Sequence, residues 1–173
     1  MNLTLTKIGK LYGKALFEIS DELNQTTQVE TQLSELALFF KANKVLGEVL
    51  VGRAFTNTQK ENLLNDIGLK LGINAVLLNV IKLLACRGRI YQFEEVKSGF
   101  QFYKDKSQNT LRGKITASDQ LEESQIKDLM SVFQKKLGKK VILEPVTDPK
   151  LIGGLVVELD GVTYDGSIKT ALT

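Results

Sequence analysis

For roughly its first hundred residues the chain repeats apolar side chains at intervals of three and four, and near Ser107-Gln108-Asn109 that interval changes. Spacings of three and four line one side of a helix, whereas alternation lines one side of a strand. A chain with such a switch fits neither one uniform bundle nor one all-β sandwich. It predicts a mostly α protein in two domains: a five- or six-helix bundle over 1–107 and a small α/β domain over 108–173. Both prolines, Pro145 and Pro149, fall in the second part, as expected when the first is helical throughout.

Ile8, Leu11, Tyr12, Ala15, Leu16, Ile19 and Leu23 predict a first amphipathic helix with these residues inward. Thr27-Gln28-Val29-Glu30 fits a capping box for a second helix, carrying Val29, Leu33, Leu36, Ala37 and Phe40 on one side. A short helix over Lys44–Val51 should end at Gly52. Thr58-Gln59-Lys60-Glu61 fits another box, opening a helix with Leu63, Leu64 and Ile67 inward and Gly68 and Gly72 loosening its end. Asn74–Cys86 is the most apolar helix, and Ile90 to about Lys106 is a longer one with Phe93, Val96, Phe100 and Tyr103.

Beyond the switch, Leu111–Ser118 predicts a strand. Asp119-Gln120-Leu121-Glu122 can cap a helix to Leu137 with Leu121, Ile126, Leu129, Met130, Phe133 and Leu137 inward. Val141–Val146 is rich in strand formers, and Asp148-Pro149 marks a turn. Leu155–Leu159, then Asp160-Gly161, then Val162–Tyr164 predicts a hairpin, since Asp-Gly supplies the positive φ of its turn.

The chain contains no His, which removes Ser–His and Cys–His nucleophiles and His-ligated metal sites. No cofactor is expected. A net charge of +3 does not require a nucleic-acid partner, whose phosphates ask for a strongly basic face. The lone Cys86 sits in an apolar helical run; it is expected to be a small buried hydrophobe in a reducing compartment. No apolar run approaches the ~20 residues that cross a bilayer, and Met1–Lys14 lacks the pattern of a signal peptide.

Gly153-Gly154 precedes a strand, whereas a phosphate loop places its glycines between a strand and a helix. A bend or bulge is the better account. Asp165-Gly166-Ser167 has no base beside it in sequence and is expected to be a tight turn. Lys135, Lys136, Lys139 and Lys140 crowd a helix C-terminus; they either complement its dipole or grip an acidic partner. Gly13 and Phe17 lie nearly opposite the first helix's predicted stripe, leaving room for another helix to come close. On the Asn74–Cys86 helix, Val76, Val80, Leu83 and Leu84 make one face, Leu78 and Ala85 the other, with only Asn79 and Lys82 strongly polar at its centre. Such a helix is either central or offers its second face to a partner.

Tyr12-Gly13-Lys14-Ala15-Leu16-Phe17 resembles the Tyr-Ala-Lys-Ala-Leu opening of the delta subunits of F-type ATP synthases, the family of the mitochondrial oligomycin-sensitivity-conferring protein. Leu83-Leu84-Ala85-Cys86-Arg87-Gly88-Arg89-Ile90 is similar to the family's helix-to-helix passage. So are Val141-Ile142-Leu143, Asp148-Pro149-Lys150-Leu151-Ile152-Gly153-Gly154 and Asp165-Gly166-Ser167-Ile168-Lys169. The ordered set covers essentially the whole chain. Three departures stand out: Gly13 replaces an Ala, Arg87-Gly88 stand where Asn and Arg are common, and the chain stops at Thr173 soon after the last motif.

The resemblance implies a non-catalytic stator subunit, one copy per complex, peripheral on the cytoplasmic face of a bacterial membrane or the equivalent face of an organelle. Its helical domain would bind N-terminal helices of the catalytic head's alpha subunits in a groove involving the first and fifth helices, at Tyr12, Gly13, Phe17, Leu78, Ile81, Lys82 and Ala85. Its C-terminal domain would bind the peripheral-stalk b subunits, with Ile152, Gly153, Gly154, Asp165, Gly166 and Ser167 as contact or structural motif. Two other classes stay in view: a small basic nucleic-acid-binding module at Lys135–Lys140, and a small enzyme at Gly153-Gly154 and Asp165-Gly166-Ser167.

Overall fold

The computed structural model describes residues 6–52, 54–151, 153–159 and 161–167. The chain divides into two compact units, one up to Lys104 and one from Asp105 onward. The architecture is the mostly α one that the periodicity predicts.

In the first unit a π-helical turn, Gly9–Gly13, runs directly into α1 (Lys14–Glu22). There follow α2 (Thr26–Ala42), α3 (Lys44–Val51), α4 (Asn57–Leu71) and α5 (Ala75–Cys86). A 3-10 turn, Ile90–Gln92, leads into α6 (Phe93–Ser107), and the division between units falls within α6. The core gathers Leu16, Leu33, Leu50, Leu64, Leu77, Leu84, Val96 and Phe100, each almost wholly buried. Truncating such a leucine to alanine removes its transfer energy and leaves a cavity, about 2–5 kcal/mol together.

The first helix is turned relative to its predicted stripe. Tyr12, Gly13, Leu16, Phe17 and Ser20 face inward, while Leu11, Ala15, Ile19 and Leu23 are exposed. Glycine decides the outcome. A Cβ on Gly99 would stand 1.9 Å from the Gly9 carbonyl oxygen, and one on Gly13 would stand 2.6 Å from the backbone of Gly99 and Phe100. The first helix and α6 therefore cross with their backbones in contact, and Phe17 meets Phe100 edge-on at 5.9 Å beside the crossing.

The caps also differ from expectation. α2 starts at Thr26 after Gln25, without a side-chain cap, and Glu30 pairs instead with Lys104. The box of α4 is Thr56 with Gln59, two residues before the predicted one, and that of α7 is Glu122 with Gln125. α4 continues through Gly68 and ends at Gly72, whose φ of 60° closes it.

The second unit holds β1 (Thr110–Ala117), α7 (Glu123–Leu137), β2 (Lys140–Thr147), β3 (Gly154–Leu159) and β4 (Val162–Ser167). The sheet order is β2-β1-β3-β4. β1 and β2 run parallel, joined through α7, while β3 pairs antiparallel with both β1 and β4. Phe133 of α7 packs on Ile115, Val141, Leu143, Val157 and Leu159. Arg112 bridges Asp105 at 2.9 Å and Glu144 at 3.2 Å; the Asp105 bond, outweighing partial burial, raises the guanidinium pKa further.

Candidate functional site

α5 lies antiparallel to the first helix, and a side-chain hydrogen bond fixes each end of the pair. At one end Arg87 Nη1 donates to Tyr12 Oη at 3.0 Å. At the other, Asn74 Nδ2 donates to Gln25 Oε1 at 2.7 Å, while its own carbonyl caps α5 by accepting from Val76 N. From Tyr12 to Gln25 and from Asn74 to Arg87 the chain advances by the same number of residues. The Tyr12 end of the first helix therefore lies beside the Arg87 end of α5. Gln32 secures the Asn74 end, donating to Gly72 O at 2.9 Å and accepting from Asn74 N at 2.8 Å.

Both helices carry large apolar side chains on their outer sides. Leu11 is 65% exposed, Ile19 44% and Leu23 52%, and Leu83 of α5 is 49% exposed. Leu11, Ala15, Ile19 and Leu23 recur every four residues and so form one stripe. Lys14 and Glu18, paired at 3.4 Å, border the stripe with charge. An apolar stripe on a polar-rimmed surface is what an amphipathic helix needs to dock.

The seven helix residues expected at a partner site occupy different depths. Tyr12 and Phe17 are buried at 8% exposure, Ile81 at 1% and Ala85 at 0%, and Gly13 is buried against α6. They build the floor of the helix pair. The neighbour for which Gly13 makes room is α6 of the same unit. Leu78 and Lys82 are half-buried and reach the surface, though Leu78 also packs on Gly68. Of the two accounts of α5, central burial describes Leu77, Val80, Ile81, Leu84 and Ala85, while Asn79 and Leu83 face outward. The exposed stripe was assigned inward from sequence. The signal against that was present in Gly9 and Gly13, one turn apart, which mark the side where another backbone comes close.

In the second unit the two candidate motifs come together on the edge hairpin. Gly154 pairs with Ser167, Leu155 with Gly166 and Val156 with Asp165. Asp165-Gly166-Ser167 is thus strand, correcting the expected turn: its backbone completes β4 against β3. Gly153 and Gly154 have φ of 156° and 85°, and they form the bend that opens β3. Ile152 lies outside the described residues. Leu129, Phe133, Leu155, Val157, Tyr164, Asp165 and Gly166 line an open, mainly apolar cleft of about 440 Å³ between α7 and this hairpin. Lys136 places its ammonium 5.0 Å from the centre of the Tyr164 ring, so one member of the lysine cluster is engaged within the unit.

Among the described residues no three of His, Cys, Asp and Glu converge as metal ligands. Burial first, and then the bond its thiol donates to Glu61 Oε1 at 3.4 Å, raises the pKa of Cys86. That is the opposite of an activated nucleophile. Nor is any described helix long and apolar enough to cross a membrane.

Comparison with known proteins agrees with this geometry. Residues 8–173 match the family described as ATP synthase delta (OSCP) subunit. The chain is 32% identical over 173 residues to ATP synthase subunit delta of Pediococcus pentosaceus, covering 99% of this chain and 95% of the relative. It is 29% identical over 170 residues to ATP synthase subunit delta of Geobacter sp. (strain M21), covering 98% and 94%. Its fold is similar to a chain in the cryo-EM structure of the Toxoplasma gondii mitochondrial ATP synthase hexamer, with a TM-score of 0.70 at 15% identity, over 96% and 94% of the two chains. A match that runs through the helical bundle, the edge hairpin and the glycine bend places this chain in the ATP synthase delta (OSCP) subunit family.

Proposed function

We propose that this chain is the stator connector of an F-type ATP synthase, joining the N-terminal helices of alpha subunits to the peripheral-stalk b subunits. As a member of the delta (OSCP) family it is a structural subunit of the synthase, not a catalytic one. The observation that carries the finer reading is the outward apolar stripe on an antiparallel helix pair fixed at both ends. A docked alpha helix would lie along Leu11, Ile19, Leu23 and Leu83, with Leu78 and Lys82 at the margin. Tyr12, Gly13, Phe17, Ile81 and Ala85 would support it from beneath.

On the same reading, residues 108–173 take the b subunits in the cleft between α7 and the edge hairpin, where Leu129 and Leu155 are half-buried. One copy then serves each complex, attached to the membrane only through its partners, on the side that carries the catalytic head.

The test is proton uptake by membrane vesicles at matched ATPase activity. A head stripped of this subunit should still hydrolyse ATP yet pump few protons, and adding the full chain should restore pumping. Residues 1–107 alone should occupy the head without restoring it. Full pumping with that fragment would remove the C-terminal unit from the connection.

A further inference from the structure

An opening of about 610 Å³ lies where the end of α3, the start of α4 and the turn after α5 meet, with Gly52, Thr56, Asn57, Lys60, Cys86 and Arg87 on its walls. Lys60, in the first turn of α4, is only 6% exposed. Among the described residues, no hydrogen bond or ion pair is recorded for its ammonium. This placement is unfavourable twice over. A helix N-terminus carries partial positive charge and repels a cation, and the mostly buried side chain brings its ammonium there without a paired carboxylate.

Nothing in the first turn of α4 compensates, since that turn contains no acid. The capping box engages the N–H groups of Thr56 and Gln59, leaving those of Asn57 and Thr58 without an intrahelical acceptor. Arg87, which donates one N–H to Tyr12, brings a second cation to the wall. Glu61 is the carboxylate nearby, and it accepts from the Cys86 thiol. The charge of Lys60 also acts on that thiol, against the effects of burial and Glu61. Lys60 lines the opening together with Cys86 and Arg87.

We propose that this opening binds a phosphate-class oxyanion, held by the Lys60 ammonium, the Arg87 guanidinium and the free N–H groups at the start of α4. Donors from the start of α4 and from the turn after α5 converge, which suits the several oxygens of a tetrahedral anion better than the two of a carboxylate. The anion supplies the counter-charge that Lys60 lacks. Its source is either free phosphate or a phosphate monoester. The proposal is independent of the stator reading, because it concerns the isolated chain.

The experiment titrates the isotopically labelled full chain with inorganic phosphate and, separately, with glycerol phosphate, at ionic strength held constant with sodium chloride. Saturable shifts of the Asn57 and Thr58 amide signals are expected, with a rise in melting temperature that saturates over the same range. Saturation by both compounds identifies a site open to monoesters, and saturation by phosphate alone identifies a free-phosphate site; either supports the proposal. Lys60→Met keeps the stem and should abolish the response, while Arg87→Gln, with Lys60 intact, should weaken binding about tenfold. Amide shifts no larger than with sodium chloride alone would overturn the proposal, as would an undiminished response in both variants.

Discussion

Tyr12 accepts a hydrogen bond from Arg87 Nη1 at 3.0 Å, and that contact joins the end of α5 to the beginning of the first helix. The phenol ring is buried and its oxygen serves as the acceptor, so Tyr12→Phe deletes the bond while preserving the packing. The expected loss is about 1 kcal/mol, the net worth of one such bond. Urea denaturation of the full chain should show a lower midpoint with an unchanged slope. An unchanged midpoint would mean that the contact does not stabilise the pair.

Glycines at two sites should respond differently to alanine. A Cβ on Gly99 would meet the Gly9 carbonyl at 1.9 Å, so the helices must separate, costing about 3 kcal/mol or more. Gly88 has open space around it but a φ of +65°, so Gly88→Ala should cost only about 1 kcal/mol. Thermal melts of the two variants check the order, and the reverse order would contradict the backbone-to-backbone crossing.

Surface and floor residues of the helix pair can be separated by mutation. Ile19→Asp and Leu83→Asp should leave the circular dichroism unchanged and weaken binding of an alpha-subunit N-terminal peptide by about 2 kcal/mol each. Phe17→Asp buries a charge against Phe100 and should lower stability before any binding is measured. Unaltered peptide affinity in both surface variants would place the docking face elsewhere.

Cys86 offers a pH test. Burial, and then Glu61, raises its folded-state pKa above that in the unfolded chain. The folded state therefore holds the thiol proton more tightly. This contribution is complete below the unfolded pKa and is lost as pH rises through the folded one. Alkylation by iodoacetamide at pH 8 should be slow in the folded chain, and Glu61→Ala should speed it a few-fold by removing both acceptor and charge. An equal rate in the variant would leave burial as the sole cause.

How much of this was legible in the sequence depended on whether the deciding contact was local. α3 ends at Gly52 as its sequence predicts, because a helix stop is written within a few residues. The hairpin around Gly161 was legible for the same reason, and its φ of 80° is what the Asp-Gly pair demands. The facing of the first helix was not. Two apolar stripes compete on it, and the choice rests on Gly99, far along the chain. The capping boxes of α4 and α7 were displaced because Thr56 with Gln59 and Glu122 with Gln125 have the same spacing as the pairs chosen. Asp165-Gly166-Ser167 has turn composition, but its pairing with Gly154–Val156 draws it into the sheet. On the first helix and α5, Tyr12, Gly13, Phe17, Ile81 and Ala85, expected at a partner surface, are buried in the bundle, because which apolar face turns inward depends on contacts far along the chain.

The crossing of Gly9 with Gly99 also bears on how the chain is made. The first helix is synthesised early, yet the groove that accepts its glycines belongs to α6, and no local partner can substitute for it. While the ribosome is still adding α2 to α5, Tyr12, Leu16 and Phe17 lack the α6 side of their burial site. The crossing can close only after residue 99 has emerged, so this part of the core waits on a long loop closure. During that interval a nascent chain exposes both apolar sides of its first helix, the one destined for the core and the one that stays at the surface.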